Sequence, residues 1–267
     1  MTTLKERLAN RAPIDLATLD ERAVMACIDH SLLQPQLTYA EIDAGIAVAI
    51  EYQTATICCR PGDLERVVKG LRGTLVGPTT VIGFPHGAHL TEIKEHEAKA
   101  AVDQGAVELD VVMNIGAFRS GEYNFVRDEL ASVCYAVAPT PVKVIMETAY
   151  LTPEEVEKAC RIVVEARAAF VKNGTGYSPR GATPEEIGLM RRTVGAGFGV
   201  KAAGGVRTLD AMLAVLAAGA CRVGATATAA IAKEWRERGP QALAAVQAGQ
   251  FAAASAANTS KAAVGDE

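Results

Sequence analysis

Short apolar or β-branched runs alternate eight times with amphipathic stretches along this chain, and that alternation narrows the fold more than any other feature. The strand-like runs lie near 25–28, 54–58, 79–83, 107–112, 142–146, 168–172, 198–202 and 220–224. Between and after them lie helix-like stretches at 38–51, 62–72, 91–104, 122–137, 152–166, 183–194, 207–218 and 226–247. Eight β-α units in about 250 residues predict one α/β domain, a (β/α)8 or TIM barrel. An open doubly wound sheet is the competing fold. It would place a glycine-rich phosphate turn after the first strand, and the first strand here runs into "IDHSLLQP", which has none. Residues 1–23 are expected to form a helical extension, 24–248 the barrel, and 249–267 a frayed tail of small and polar residues.

Helix boundaries are marked in the sequence. Thr152-Pro153-Glu154-Glu155 and Thr183-Pro184-Glu185-Glu186 each offer a capping threonine, a first-turn proline and a glutamate three residues after the cap. Such pairs can satisfy the orphan N–H groups reciprocally. Gly105 and Gly219 follow helical stretches, as a left-handed C-terminal residue would.

Composition limits the function classes. The 267 residues are 49% hydrophobic and carry a net charge of -4, which gives no reason to expect a nucleic-acid or acidic-membrane partner. No apolar run approaches the roughly 20 residues that span a bilayer. The N-terminal stretch is too polar for a secretory signal. Cysteines at 27, 58, 59, 134, 160 and 221 contain no CxxC pair, so free thiols in a reducing cytoplasm are expected. Adjacent Cys58 and Cys59 would point to opposite faces of a strand.

In a barrel the catalytic groups gather at the C-terminal ends of the strands. Two of those ends carry lysine: "FVKNGTGYSP" places Lys172 after an apolar run, and "FGVKAAGGVR" repeats the pattern at Lys201. A lysine inside an apolar strand is rare, because burying an unpaired ammonium is costly. Each could sit in a structural ion pair. Two on adjacent strands near one mouth point instead to chemistry, since repulsion and partial desolvation both favour a neutral amine. A neutral amine attacks carbonyls to form a Schiff base. Alternation along "VELDVVM" puts Glu108 and Asp110 on one face, and an acid beside two lysines can stabilise charge or shuttle protons. Strand 1 is expected to end near Asp29 and His30, strand 2 near Cys59 and Arg60, strand 4 at Asp110 and Asn114, and strand 5 at Glu147 and Thr148.

The turns after strands 7 and 8 suit phosphate. Gly204-Gly205-Val206-Arg207 and Gly224-Ala225-Thr226 each lead into a helix, where free N–H groups and the dipole favour an anion. Tight turns alone would also explain these glycines. His86, His89 and His96 lack metal-ligand spacing and are read as solvated loop residues, so no metal site is expected.

With these residues in place, the chain resembles the deoxyribose-phosphate aldolase family. The resemblance runs from about 24 to 230 through "IDHSLLQP", "TVIGFPHGAH", "GAVELDVVMNIGAFRSGEY", "VKVIMETAYLTPEE", "FVKNGTGY", "GATPEEIGLMRRTVG", "GVKAAGGVRTLDAM" and "AGACRVGATAT". It implies the same barrel and a class I aldolase, which needs no cofactor because the iminium is the electron sink. By motif, Lys172 matches the Schiff-base lysine, Lys201 the second lysine that lowers its pKa, and Asp110 the acid of a proton relay. Thr175, Asn173 and Cys59 are implied to contact substrate. Gly176, Gly204, Gly205, Arg207, Gly224 and Thr226 are implied to hold phosphate. The implied partners are a sugar phosphate and acetaldehyde, and the outer helices could supply a homo-oligomer interface.

The departures from the family pattern concern the pocket. Asn173-Gly174 stands where the family has Thr-Ser, Gln34 where it often has lysine, and Arg60 where it usually has asparagine. Arg180 lies in a loop where a small residue is more common, and Arg60 and Arg180 could clamp a phosphate or a carboxylate. Three alternatives follow: a Schiff-base aldolase for another sugar or sugar acid, a non-covalent phosphate-binding isomerase, and a non-catalytic binding barrel.

Overall fold

In the computed structural model, which describes residues 3–249, eight parallel strands close into a barrel in sequence order. They are β1 (Ile28–Leu32), β2 (Thr56–Cys59), β3 (Gly77–Ile82), β4 (Glu108–Val112), β5 (Val142–Ile145), β6 (Phe170–Lys172), β7 (Gly199–Ala203) and β8 (Arg222–Ala225). Closure comes where β8 pairs β1, with Ile28 opposite Val223 and Asp29 opposite Gly224. The helices are α1 (Leu4–Leu8), α2 (Glu21–Met25), α3 (Tyr39–Glu51), α4 (Leu64–Gly70), α5 (Thr91–Asp103), α6 (Ile115–Arg119), α7 (Tyr123–Ala136), α8 (Pro153–Glu165), α9 (Pro184–Val194), α10 (Leu209–Ala217) and α11 (Thr228–Gln247). The expected tail at 249–267 lies, apart from Gly249, outside the described residues.

Two elements differ from expectation. The first strand begins at Ile28, because Asp20 caps a short helix that takes up Val24 and Met25. This moves Asp29 from a strand end to a position within the strand. The helix α6 was not anticipated. Asn114 starts it by accepting the Ala117 N–H, so Asn114 is a helix cap. The capping glutamates also divide. Thr152 and Glu155 form the reciprocal pair, but Glu186 turns away from Thr183 to meet Arg180 at 3.0 Å.

Strand alternation sorts the side chains into two environments. Outward residues such as Ile57, Leu109, Val144, Val171, Val200 and Val223 join the apolar layer between sheet and helices. Burying side chains of this size contributes about 1.5–3 kcal/mol each. The inward face is different in kind: it carries ionisable side chains rather than the branched apolar ones that usually fill such barrels. Its N-terminal end is closed by Phe170, whose ring lies 4.3 Å beneath the Arg11 guanidinium of the N-terminal extension. Glycine is required opposite that ring, because a Cβ at Gly199 would stand 2.1 Å from Phe170 Cδ1.

One buried ion pair fastens the outer layer to the sheet. Lys94 of α5 donates to Glu129 of α7 at 2.7 Å and to the Val112 carbonyl of β4 at 2.9 Å. Both side chains are fully enclosed. Removing one partner leaves an uncompensated charge in the packed layer. Lys94→Ala should therefore lower unfolding stability in urea by about 3–5 kcal/mol, with the apolar pair Lys94→Met/Glu129→Leu recovering most of it.

Candidate active site

The C-terminal mouth of the barrel opens into a cavity of about 710 Å³. Lys172 lies at its floor, and Thr175, Gly176, Gly204, Gly205, Arg207, Gly224 and Thr226 line it. All the residues expected to hold phosphate thus meet in one space, contributed by the loops after β6, β7 and β8. Gly176, Gly204 and Gly205 have φ of 88°, 86° and 79°, a region that favours glycine. The turns are also in close contact: the Ala182 N–H donates to the Gly204 carbonyl at 3.0 Å, and a Cβ at Gly181 would lie 2.3 Å from that oxygen. Thr226 precedes α11, whose first turn has no side-chain cap.

Below the cavity the inward side chains form an ionic cage. Asp110 Oδ2 accepts from Lys172 at 2.8 Å and from Lys201 at 2.7 Å, while Oδ1 accepts from Lys143 at 3.0 Å. The strand register produces this meeting, because Lys172 pairs Lys201 across β6 and β7 while Asp110 pairs Lys143 across β4 and β5. Lys201 also contacts Asp29. Deeper still, Arg222 bridges Asp29 at 2.8 Å and Glu108 at 2.9 Å, and Glu108 reaches Lys143 at 2.7 Å. Thr56 donates its hydroxyl to Asp29 at 2.7 Å.

Burial alone would raise these carboxyls, but the surrounding cations win. Lys143, Lys172 and Lys201 hold Asp110 well below the usual carboxylate range. Burial likewise acts on Asp29 and Glu108, yet Lys201, Arg222 and Lys143 pull Asp29 down, and Arg222 and Lys143 pull Glu108 down. The opposite balance applies to Lys201. Burial lowers it, and the carboxylates of Asp110 and Asp29 outweigh burial and hold it above its ordinary value. Lys201 is therefore a fixed cation beside Lys172.

Several expected contacts are not made. Cys59 faces the apolar layer, where its thiol approaches the Thr79 carbonyl at 3.6 Å, and Cys58 is the cysteine turned toward the cage. Asn173 does not line the cavity, because its side-chain amide engages Ala203: Nδ2 donates to the carbonyl at 3.1 Å and Oδ1 accepts the N–H at 2.7 Å. His30, expected at the strand end, turns outward, with Nδ1 2.9 Å from the Thr228 hydroxyl, and burial pulls it down to about 4. Arg180 is held by Glu186 and the Thr148 carbonyl, and Arg60 by Asp63 and three loop carbonyls. Neither lines the cavity.

The sequence reading passed over Asp29 as an interior group, and missed Lys143 and Arg222. Lys143 and Arg222 stand in apolar strands and could have been found by the argument that singled out Lys172. Glu147 also has a role at the mouth. It sits at φ 53°, accepts the Thr175 N–H at 3.1 Å and receives the Thr175 hydroxyl. That hydroxyl also accepts the Tyr177 N–H at 3.0 Å.

The cage couples stability to pH. Asp29, Glu108 and Asp110 have folded values below their unfolded ones, so the stability they contribute is present above the unfolded carboxylate range and is lost as pH falls through and below it. Urea midpoints should drop steeply below about pH 4, and Glu108→Gln, which removes one of the three titrations, should make that drop shallower.

The architecture agrees with comparison to known proteins. The family described as DeoC/LacD family aldolase matches residues 13–234. A deoxyribose-phosphate aldolase of Thermoanaerobacter sp. (strain X514) is 47% identical over 213 residues, covering 79% of this chain and 96% of its own. A crystal structure of a putative deoxyribose-phosphate aldolase from Coccidioides immitis superposes with a TM-score of 0.79 at 37% identity, covering 87% of this chain and 95% of its own. A tetrameric deoxyribose phosphate aldolase from Aeropyrum pernix superposes with a TM-score of 0.77 at 26% identity, covering 83% and 94%. A barrel whose mouth joins a lysine-carboxylate cage to three glycine-bearing turns, matched by that family over most of its length, belongs to the DeoC/LacD aldolase family.

Proposed function

We propose that this aldolase cleaves 2-deoxy-D-ribose 5-phosphate reversibly to D-glyceraldehyde 3-phosphate and acetaldehyde, through a Schiff base on Lys172. The observation that carries the reading is the placement of Lys172. Among the four basic side chains of the cage it has one carboxylate contact, shared with Lys201, and it lines the cavity while the other three do not. A carbonyl in the cavity reaches this nitrogen first.

The Lys172 nitrogen adds as the free amine to the aldehyde carbon of the open-chain sugar; the adduct takes up one proton and loses water, giving an iminium, and that proton is released again when the last iminium is hydrolysed. The hydroxyl on the third carbon then gives up its proton. The bond between the second and third carbons breaks, its electron pair forms an enamine, and the iminium charge is neutralised. Glyceraldehyde 3-phosphate departs. A proton returns to the second carbon, and water hydrolyses the new iminium to acetaldehyde and free Lys172. Asp110, touching both Lys172 and Lys201 beneath the cavity, relays the proton between these positions with a water.

Thr175 lines the path from Lys172 to the glycine turns, and its hydroxyl takes a substrate hydroxyl. The phosphate lies on the N–H groups of the turns at Gly176, Gly204–Gly205 and Gly224–Thr226, with Arg207 at the rim and the uncapped start of α11 adding its dipole. The same reading places the enzyme in the cytoplasm, in keeping with six free thiols. A homo-oligomer fits too: Leu90, Ile93, Phe125 and Tyr135 expose apolar surface around α5 and α7, and the Aeropyrum pernix relative is tetrameric.

Turnover of 2-deoxyribose 5-phosphate tests this directly. Lys172→Ala and Lys172→Arg should both abolish it, since a charge without nucleophilicity does not suffice. Asp110→Asn should lower kcat by about 10²–10⁴-fold with a smaller change in KM. Appreciable turnover by Lys172→Arg would favour a non-covalent isomerase. A negligible wild-type rate on this sugar, with cleavage of an unphosphorylated or acidic one, would reassign the substrate.

A further inference from the structure

The β1–α3 loop forms one wall of the cavity through Leu33, Gln34, Pro35 and Gln36. In the closed barrel β1 lies beside β8, so this wall borders the Gly224–Thr226 turn rather than the far side of the mouth. Little packing holds the loop. Gln34, Pro35 and Gln36 are exposed, and only Leu37 packs against the apolar layer.

Three of the loop's carbonyls are held by one guanidinium. Arg60, at the end of β2, donates from Nη1 to the carbonyls of Gln34 at 3.0 Å and Pro35 at 2.7 Å, and from Nη2 to that of Leu37 at 2.9 Å. Its Nε donates to Asp63 at 2.6 Å, and Asp63 is itself buried, so the fork is held in one orientation. The Tyr177 hydroxyl adds one further bond, donating to the Leu33 carbonyl at 2.9 Å. Arg60 therefore anchors three carbonyls of a wall it does not itself join.

We propose that Arg60 is a positioning residue for the phosphate end of the substrate: by clamping the β1–α3 loop it sets the spacing between that wall and the strand 7–8 turns. The inference rests on the aldolase reading of the cavity. It assigns Arg60 no contact with substrate and no part in the Schiff-base steps. Lysine cannot replace it, because one ammonium cannot span three carbonyls and a carboxylate, whereas the planar fork can. The clamp acts on the end of the substrate farthest from Lys172, so its loss falls on binding of the phosphate ester.

The test compares Arg60→Ala and Arg60→Lys with wild type on 2-deoxyribose 5-phosphate and on unphosphorylated 2-deoxyribose, with hydrogen exchange followed at the 33–38 amides. KM for the phosphate ester should rise about tenfold in both variants, kcat should change by less than about twofold, and KM for 2-deoxyribose should stay close to wild type. Exchange at 33–38 should accelerate while the barrel strands stay protected. Equal losses on both substrates, full rescue by Arg60→Lys, or unchanged exchange in Arg60→Ala would each overturn the clamp. If wild type turns over neither sugar, the aldolase assignment fails instead, and the exchange measurement still decides whether Arg60 orders the loop.

Discussion

One carboxylate organises this barrel. Asp110 is enclosed by Lys143 on one oxygen and by Lys172 and Lys201 on the other. Without it the buried nitrogens of Lys143, Lys172 and Lys201 would lose the carboxylate that all three share, and a buried polar group without a partner is costly. Asp110 in turn could not remain ionised there without them. The deeper pairs of Asp29, Glu108 and Arg222 extend the same logic downward to Phe170 and the Arg11 plug. An interior of this kind adds little net stability compared with apolar packing, since the desolvation of each ion offsets most of its attraction. What it provides is placement: each charge has one arrangement in which all are paired.

That arrangement divides the cage by depth. Lys143 and Arg222 each meet two or more carboxylates and lie beneath the floor, so they act as fixed counter-charges. Lys201 is also doubly held. Lys172 is the outermost and least held, and it is the group that meets the cavity. On the proposed Schiff-base reading, Lys172 is set apart by its position in a graded network rather than by any unusual feature of the lysine itself. The glycine turns that close the other end of the cavity are separate in sequence but converge because β6, β7 and β8 are neighbours in the sheet.

Much of this was legible in the sequence, for identifiable reasons. The eightfold period and the Thr-Pro-Glu-Glu starts are local signals, and they located the strands and most helices. Lys172, Lys201 and Asp110 stood out because a charge in an apolar strand violates burial rules. Lys143 and Arg222 also break those rules and could have been found the same way: Lys143 stands one residue into β5 and Arg222 opens β8, so both lie deep in the barrel, away from the strand ends where catalytic groups were sought. Cys59 and Asn173 were misplaced for another reason. A motif carries residue identity but not the face of the strand, and one step along β2 moves a thiol from the cage to the apolar layer. The bonds of Arg60 to a loop more than twenty residues earlier, and of Glu147 to Thr175, depend on barrel closure and left no local trace.

The central claim is that Lys172 is the nitrogen that bonds to a carbonyl carbon. Incubation with acetaldehyde and borohydride, followed by peptide mapping, tests it most directly. One ethyl group on the peptide carrying Lys172, none on those carrying Lys143 or Lys201, is the predicted result. An unmodified protein, or an ethyl group on Lys201 with Lys172 untouched, would contradict the account.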